Sequence, residues 1–439
     1  MNRADGALDV ARRRRSLYVI IALCTTVALF DGYDGAAAAF SGPALLRALH
    51  LDAKTLGVVF SSSLVGMAIG AGLFGVLADR AGRRPAIILS IAVFGVFTLL
   101  AGLSNDFASL VTYRMLTGLG LGGALSNAVA VSAEFAPQRL RATVVSIVYS
   151  AFPLGSVLGG YLAVWLIKDF GWRSIFLVCA AATVPLMAAV LWLFPESIKF
   201  LRAKGASPAR IQAALERLGM TDIPEDLEPT PSRAAPLKTL FVDGMWRRSL
   251  LLWTAFFANQ LVVYFLFLWM PVALKAYGLG AQTGIVASAT QSLGGVIGAF
   301  CLARLIDQRG PARVLVPAYA AALVLVAAVG VAASTSPWAL ILTVGCCGFM
   351  LNGANVNLAS VAAALYPTSA RSTGMGWAMG VGKAGGIAGS MIGGVLLQSH
   401  LSLPLLYALA GTPLVLAAVG VWHVGCQTAP GEEPVAAAT

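Results

Sequence analysis

Leu77–Arg84 reads LADRAGRR and separates two apolar runs, and 228 residues later Leu305–Arg313, LIDQRGPAR, does the same. A second pair, Glu134–Val144 (EFAPQRLRATV) and Ala364–Gly374 (ALYPTSARSTG), is displaced by 230. One such match can arise by chance; two at nearly equal offsets make the chain two copies of one unit. The runs around these loops are 18–24 residues of Leu, Val, Ile, Ala and Phe, close to the about 20 residues that carry a helix across a bilayer. The alternating polarity of barrel strands is missing. The spans are therefore helices, near 17–39, 55–77, 86–103, 108–133, 143–166, 173–194, 249–270, 281–303, 314–333, 338–364, 372–397 and 403–424. Composition agrees: of 439 residues 58% are hydrophobic and 11% charged, against about 25% charged in an ordinary soluble domain.

Each copy holds six spans, so both lie in the membrane the same way round. This is the parallel repeat of one transporter architecture, in which the substrate site lies between the halves near the midplane. The expected organisation is an N-terminal tail at 1–16, a six-helix bundle at 17–196, a linker at 197–248, a second bundle at 249–425 and a C-terminal tail at 426–439. The linker carries Pro208, Pro224, Pro229, Pro231 and Pro236, and one short amphipathic helix is expected where Ile211, Leu215 and Leu218 share a face. Arg12–Arg15 ahead of an apolar run resemble the start of a signal peptide. Yet the run is span length and contains Asp31 and Asp34, which points to a retained first helix, with a twin-arginine export signal as the minor alternative.

The formal charge of +11 would suggest nucleic acid in a soluble chain. Its distribution gives another meaning. With the N-terminus inside, cytoplasmic segments hold 23 of the 30 Lys and Arg and external loops five. That bias places both termini in the cytoplasm and removes nucleic acid as a partner. The remaining two, Arg114 and Lys383, lie inside spans. Six cysteines, Cys24, Cys179, Cys301, Cys346, Cys347 and Cys426, lack metal-ligand spacing and read as small buried hydrophobes. His50, His400 and His423 are isolated, so no metal, cofactor or catalytic cluster is expected, and the chain reads as no enzyme.

In LFDGYDGAAAAF, Leu29–Phe40, Asp31 and Asp34 are three apart and share a face of span 1 about half-way across the bilayer. Two such carboxylates repel each other in a poorly solvating medium, which makes proton uptake near neutral pH their natural role. RMLTGLGLGG puts Arg114 seven residues into span 4, where a charge costs roughly 2.5–3.5 kcal/mol; it should face a partner or a wet cavity. Lys383 lies in GWAMGVGKAGGIAGSMIGG, span 11. Two acids and two bases leave the interior neutral. Asn127, Asn259, Gln260, Gln291, Asn352, Asn355 and Asn357 add hydrogen-bonding capacity, and Tyr33, Phe152, Tyr264 and Trp377 offer faces for a flat ring. Gly155, Gly159 and Gly160 in span 5 form a face for close helix packing.

Gly75–Pro85, GVLADRAGRRP, resembles the loop 2–3 signature of the major facilitator superfamily, GxLxDRxGRR. Arg114 and the glycines after it resemble that family's span 4 motif. DGYD resembles the DGxD of the aromatic acid:proton symporter family, and the likeness extends over the chain through EFAPQRLRAT and FPES at Phe194–Ser197. The resemblance implies a twelve-helix major facilitator fold and a latch in which Asp79, Arg80, Arg83 and Arg84 hold neighbouring helix ends, with Gly75 allowing helix approach and Gly82 the turn. The second copy has Ala303 for Gly75 and Gln308 for Arg80, so its latch should be weaker. Similar proteins usually carry Arg where this chain has Lys383, which replaces a bidentate fork with a point charge.

These features imply a secondary transporter of the inner membrane that imports a small aromatic carboxylate, hydroxybenzoate-like, by proton symport. It would act as a monomer in the lipid bilayer. Asp31 and Asp34 would carry protons; Arg114, Lys383, Tyr33, Trp377, Asn352 and Asn355 would hold the substrate. A proton-driven exporter of drugs or metabolites with the same fold is the main alternative, and a membrane sensor that binds without transport a lesser one.

Overall fold

The computed structural model describes residues 3–137, 140–218, 240, 245–367 and 370–426. The linker residues Pro224, Pro229, Pro231 and Pro236, the tail beyond Cys426, and the side chains of Arg12–Arg14 and Cys426 lie outside what is described.

In chain order the helices are α1 Arg3–Ala48, α2 Ala53–Ala81, α3 Arg83–Leu103, α4 Phe107–Phe135, α5 Arg141–Phe170, α6 Arg173–Leu193, α7 Ile198–Ala203, α8 Pro208–Leu218, α9 Met245–Ala276, α10 Ala281–Arg309, α11 Pro311–Thr335, α12 Pro337–Leu365, α13 Arg371–Gln398, α14 Leu403–Gly411 and α15 Pro413–Cys426. Among the described residues twelve helical spans are long and apolar enough to cross a membrane. Helices suit that medium because every backbone N–H and C=O finds its partner within the segment.

The observed ends differ from the expected spans for local reasons. α1 begins at Arg3, well ahead of Leu17, because the Ala- and Arg-rich stretch before the apolar run contains good helix formers. The last span breaks at Thr412: Pro413 has no N–H to donate and starts α15 instead. α8 is the amphipathic helix expected in the linker, and Ile211 and Leu215 pack into the apolar core made by α1, α3, α4, α5 and α6. α7, which the charge-rich FPESIKFLRA did not suggest, seats Ile198 in the same core.

The chain forms two compact units, Met1–Ala44 with Ser62–Ser232, and Leu45–Ser61 with Arg233–Thr439. Leu45–Ser61, assigned to the first bundle on sequence, thus groups with the second unit. There Gly394 abuts the Ala53 carbonyl, Phe60 meets Trp269 edge-on at 5.4 Å, and the Gln398 amide donates to Asp52 at 3.1 Å.

Each unit is held by helices in backbone contact, and the contacts repeat at the offsets read from the loops. A Cβ on Gly66, Gly70 or Gly118 would overlap the carbonyls of Met115, Leu119 and Ser63. In the second unit Gly294, Gly298 and Gly348 stand in the same way against Gly345, Phe349 and Gln291. Gly155 abuts the Leu29 carbonyl, and Gly385 that of Phe257. At two crossings the small residue has changed sides. Gly32 lies on Phe152, but Gly382 lies against Gln260; Gly122 lies on Met67, but Gly295 against Asn352. Small residues let helix backbones approach where lipid supplies no hydrophobic drive.

The outer faces carry large apolar side chains, among them Trp192, Trp338, Leu342 and Val324, as lipid contact requires. Among the described cysteines Cys24, Cys179 and Cys347 are buried, whereas Cys301 and Cys346 are exposed and correct the expectation of buried thiols. Gly82 and Gly310 have φ of 112° and 83°, a conformation that makes glycine the natural residue at both repeated turns. Asp106 caps α4, accepting from the Ser109 N–H at 2.9 Å and its hydroxyl at 2.7 Å, and these bonds hold its carboxyl below the ordinary range.

Candidate functional site

In the first unit Gly32 backs onto α5 at Phe152 and fixes the rotation of α1. Asp31 and Asp34 are consequently both interior, 2% and 1% exposed. Arg114 on α4 reaches across: its Nη1 donates to Asp34 Oδ1 at 2.7 Å and its Nη2 to Ser63 Oγ at 3.3 Å. The guanidinium lies over the Phe176 ring at 5.6 Å. Asp34 Oδ2 and Arg114 Nε have no hydrogen-bond partner among the described residues. The pair therefore neutralises its charges but leaves hydrogen-bonding capacity unused, unlike a saturated structural ion pair. Tyr33 does not offer an open ring face: it is 7% exposed and its hydroxyl donates to the Ile175 carbonyl at 3.1 Å.

At the end of this unit that carries the α2–α3 turn, Glu196 is the organising group. Its Oε1 accepts from the N–H groups of Arg83, Arg84 and Ser197 at 2.9, 3.3 and 2.9 Å. A carboxylate here satisfies orphan donors of the α3 N-terminus and meets its positive end. A Cβ on Gly82 would collide with this carboxylate. Arg83 turns to Asn127 Oδ1 at 3.2 Å and Glu134 Oε1 at 3.4 Å, with Asp79 more distant at 3.9 Å and largely exposed. Arg84 donates to the Leu191 carbonyl near the end of α6 at 2.6 Å. Arg80 is exposed. A Cβ on Gly75 would meet nothing within 4 Å, which corrects the expectation that this glycine permits a close helix approach. The carboxylates closest to this turn are thus Glu196, on the backbone N–H groups of Arg83 and Arg84, and Glu134, on the Arg83 guanidinium.

At the three charged positions of the first unit the second carries one amide and two valines. At the offset of 228 Asp31 corresponds to Asn259, Asp34 to Val262 and Ser63 to Gln291; at 230 Arg114 corresponds to Val344. Asn259, fully buried on α9, donates to Asn355 Oδ1 on α12 at 2.6 Å. Asn259 Oδ1, Gln260 Oε1, Asn352 Oδ1 and both ends of the Gln291 amide are buried without a hydrogen-bond partner among the described residues. Lys383 follows Gly382, whose face lies against Gln260, and so stands on α13 beside this group. Asn357 bridges the Ala299 and Gly353 carbonyls as Asn127 bridges those of Phe74 and Gly123; both amides are structural brackets. Trp377 stacks on Trp253 at 5.9 Å and is 46% exposed, away from the amides.

Ser63, Phe176, Glu134 and Glu196 were not anticipated as partners. The triple serine Ser61–Ser63 in an otherwise apolar helix was the available sign for the first. No group of three His, Cys, Asp or Glu that could hold a metal occurs among the described residues.

Residues 22–363 and 281–438 match the Major Facilitator Superfamily. The chain is 35% identical to the gallate transporter of Pseudomonas putida over 408 residues, 92% of this chain and 91% of that protein. It is 33% identical to the 4-hydroxybenzoate transporter PcaK of Acinetobacter baylyi, covering 95% and 93% of the two. Among solved structures it resembles the xylose transporter XylE from E. coli in a partially occluded inward open conformation, with a TM-score of 0.72, 17% identity, and 93% and 99% of the two chains covered.

Proposed function

The chain belongs to the Major Facilitator Superfamily, and from that premise we propose that it imports a small aromatic carboxylate, hydroxybenzoate-like, by proton symport with alternating access. The observation that carries this is the buried Asp34–Arg114 pair beside Asp31. With ionised acids and charged bases the membrane interior is neutral. A proton on Asp31 or Asp34 leaves one positive charge in excess, and a bound carboxylate restores neutrality. Either ligand alone leaves a charge uncompensated, at roughly 2.5–3.5 kcal/mol, or about a hundredfold in occupancy. Proton and anion therefore load together, which is symport stated as electrostatics. Lys383 and Arg114 supply the positive charge that the carboxylate answers, and Asn352 and Asn355 meet the ring substituents. The similar proteins named for gallate and 4-hydroxybenzoate support that substrate class.

The protein is a multi-pass membrane protein, for which we infer residence in the inner membrane with both termini cytoplasmic and function as a monomer. Asp79, Arg80, Gly82, Arg83 and Arg84, with Gly75 at their border, would form the cytoplasmic latch. Purified protein in liposomes with an imposed pH gradient, acid outside, should accumulate labelled 4-hydroxybenzoate above its equilibrium level, and a protonophore should abolish the excess. Uptake that ignores the gradient would refute symport, and efflux alone would favour the exporter.

A further inference from the structure

We propose that Asn259, Gln260, Asn352 and Asn355 form a shelf that reads the hydroxyl groups of the substrate ring, so that the protein selects hydroxylated aromatic acids over unsubstituted benzoate. The inference rests on the transport function proposed above and adds what decides between members of that substrate class.

The four carboxamides stand on one stretch each of α9 and α12, two helices joined by the Asn259–Asn355 bond. Asn259 is bonded to Asn355 across α9 and α12 at 2.6 Å. Gln260 follows directly, its Cγ 3.3 Å from where a Cβ on Gly382 would stand. Asn352 lies one turn along α12 from Asn355, on the same side at a spacing of three. Tyr264, one turn beyond Gln260, presents its ring to Gly386 and gives the group an aromatic neighbour. The oxygens of Asn259, Gln260 and Asn352 are buried and accept no hydrogen bond from the described residues.

Buried amide oxygens without donors are expensive, and helices in a bilayer have a cheaper choice. This unit makes that choice elsewhere: Val262 and Val344 stand at the repeat positions of Asp34 and Arg114. Three unmet acceptors in one neighbourhood are therefore built for an incoming donor. A carboxylate has none to offer and is drawn to Lys383 instead. A phenolic hydroxyl donates and also accepts, so it suits a carboxamide in either orientation. Benzoate would bury the same oxygens without satisfying them, and a site built around hydrogen bonds rejects the analogue that lacks the group. Several acceptors also favour rings with more than one hydroxyl. Because amides do not titrate, the reading is the same at the pH of either side of the membrane.

The test is competition for 4-hydroxybenzoate counterflow in proteoliposomes by benzoate, 4-hydroxybenzoate, 3,4-dihydroxybenzoate and 3,4,5-trihydroxybenzoate. Wild-type protein should favour the hydroxylated acids over benzoate by about tenfold or more. Asn352→Leu and Gln260→Leu should each shrink that ratio by about tenfold. Asn259→Leu should do the same, but it also breaks the Asn355 bond, so the other two variants decide the matter if it fails to fold. Ratios within twofold of wild type in Asn352→Leu and Gln260→Leu, with the acids still competing, would overturn the shelf while leaving the transport function standing. If no acid of the set competes in wild type, the function fails and the shelf with it.

Discussion

Arg114 Nη1 lies 2.7 Å from Asp34 Oδ1, and neither side chain is more than 2% exposed. Each charge is tolerable in that place only because the other is there. Removing Arg114 alone leaves a buried carboxylate uncompensated, at about 3–5 kcal/mol. Arg114→Gln should therefore lower the melting temperature in detergent strongly, and Asp34→Asn/Arg114→Gln should recover much of the loss. Transport should be absent from both variants. A double variant no more stable than Arg114→Gln would show that the two residues do not pair.

Asp31, buried on the same helix three residues before Asp34, is the proposed proton carrier. Asp31→Asn should lose pH-gradient-driven uptake while retaining exchange of labelled for unlabelled substrate, since exchange needs no net proton movement. Full gradient-driven uptake in Asp31→Asn would remove its proposed role. On the substrate side, Lys383→Arg should keep more transport than Lys383→Ala, and equal losses would remove the charge argument for Lys383.

Glu196 takes three backbone N–H groups onto one carboxylate oxygen. Hydrogen bonds to a charged group contribute about 1.5–3 kcal/mol each when they replace water well. Because these N–H groups are only part-buried, water can replace much of that sum, and Glu196→Ala should destabilise by about 2 kcal/mol; Gly82→Ala should cost a similar amount through the collision and the strained φ. Thermal melts of the purified variants check both.

Glycines in the same half should differ sharply in tolerance. Gly118→Ala drives a methyl into the Ser63 backbone carbonyl, which cannot turn aside, whereas Gly75→Ala meets open space. The first should cost about 3 kcal/mol or more; the second should leave the melting temperature nearly unchanged.

Asp106 provides a pH test away from the membrane. Its carboxyl is held below the ordinary range by the bonds from Ser109. A depressed native value means stability that is present at neutral pH and lost as the pH falls through that value. Asp106→Ala should thus lower the melting temperature at pH 7 and make little difference at a pH below the carboxylate range. An equal loss at both would assign the effect to packing.

The fold was largely legible because bilayer spans are long, uniform and separated by charge. Arg114 was legible as a residue in need of a partner, and Asp34 as a candidate for it, since intramembrane charge is rare and must balance. The pairing with Ser63 and Phe176 was not, because which residues of α2 and α6 face α4 depends on helix rotation, and glycine contacts set that rotation. Tyr33 and Trp377 illustrate the same limit. Both are aromatics in polar company by sequence, yet one is tied to the Ile175 carbonyl and the other stacks on Trp253. Gly75 fits a loop pattern whose physical reason this arrangement of helices does not display.

The crossings at which the glycine stands on the other helix, Gly32 on Phe152 against Gly382 on Gln260, show what a close approach does and does not demand. It needs one residue without a side chain, and it is indifferent to which helix of the pair supplies it. Whichever helix does so leaves the facing position free to carry a side chain of any chemistry. Phe152 and Met67 use that freedom in the first unit, Gln260 and Asn352 in the second. Two units can thus share one helix spacing and still present apolar groups at a crossing in one and carboxamides in the other.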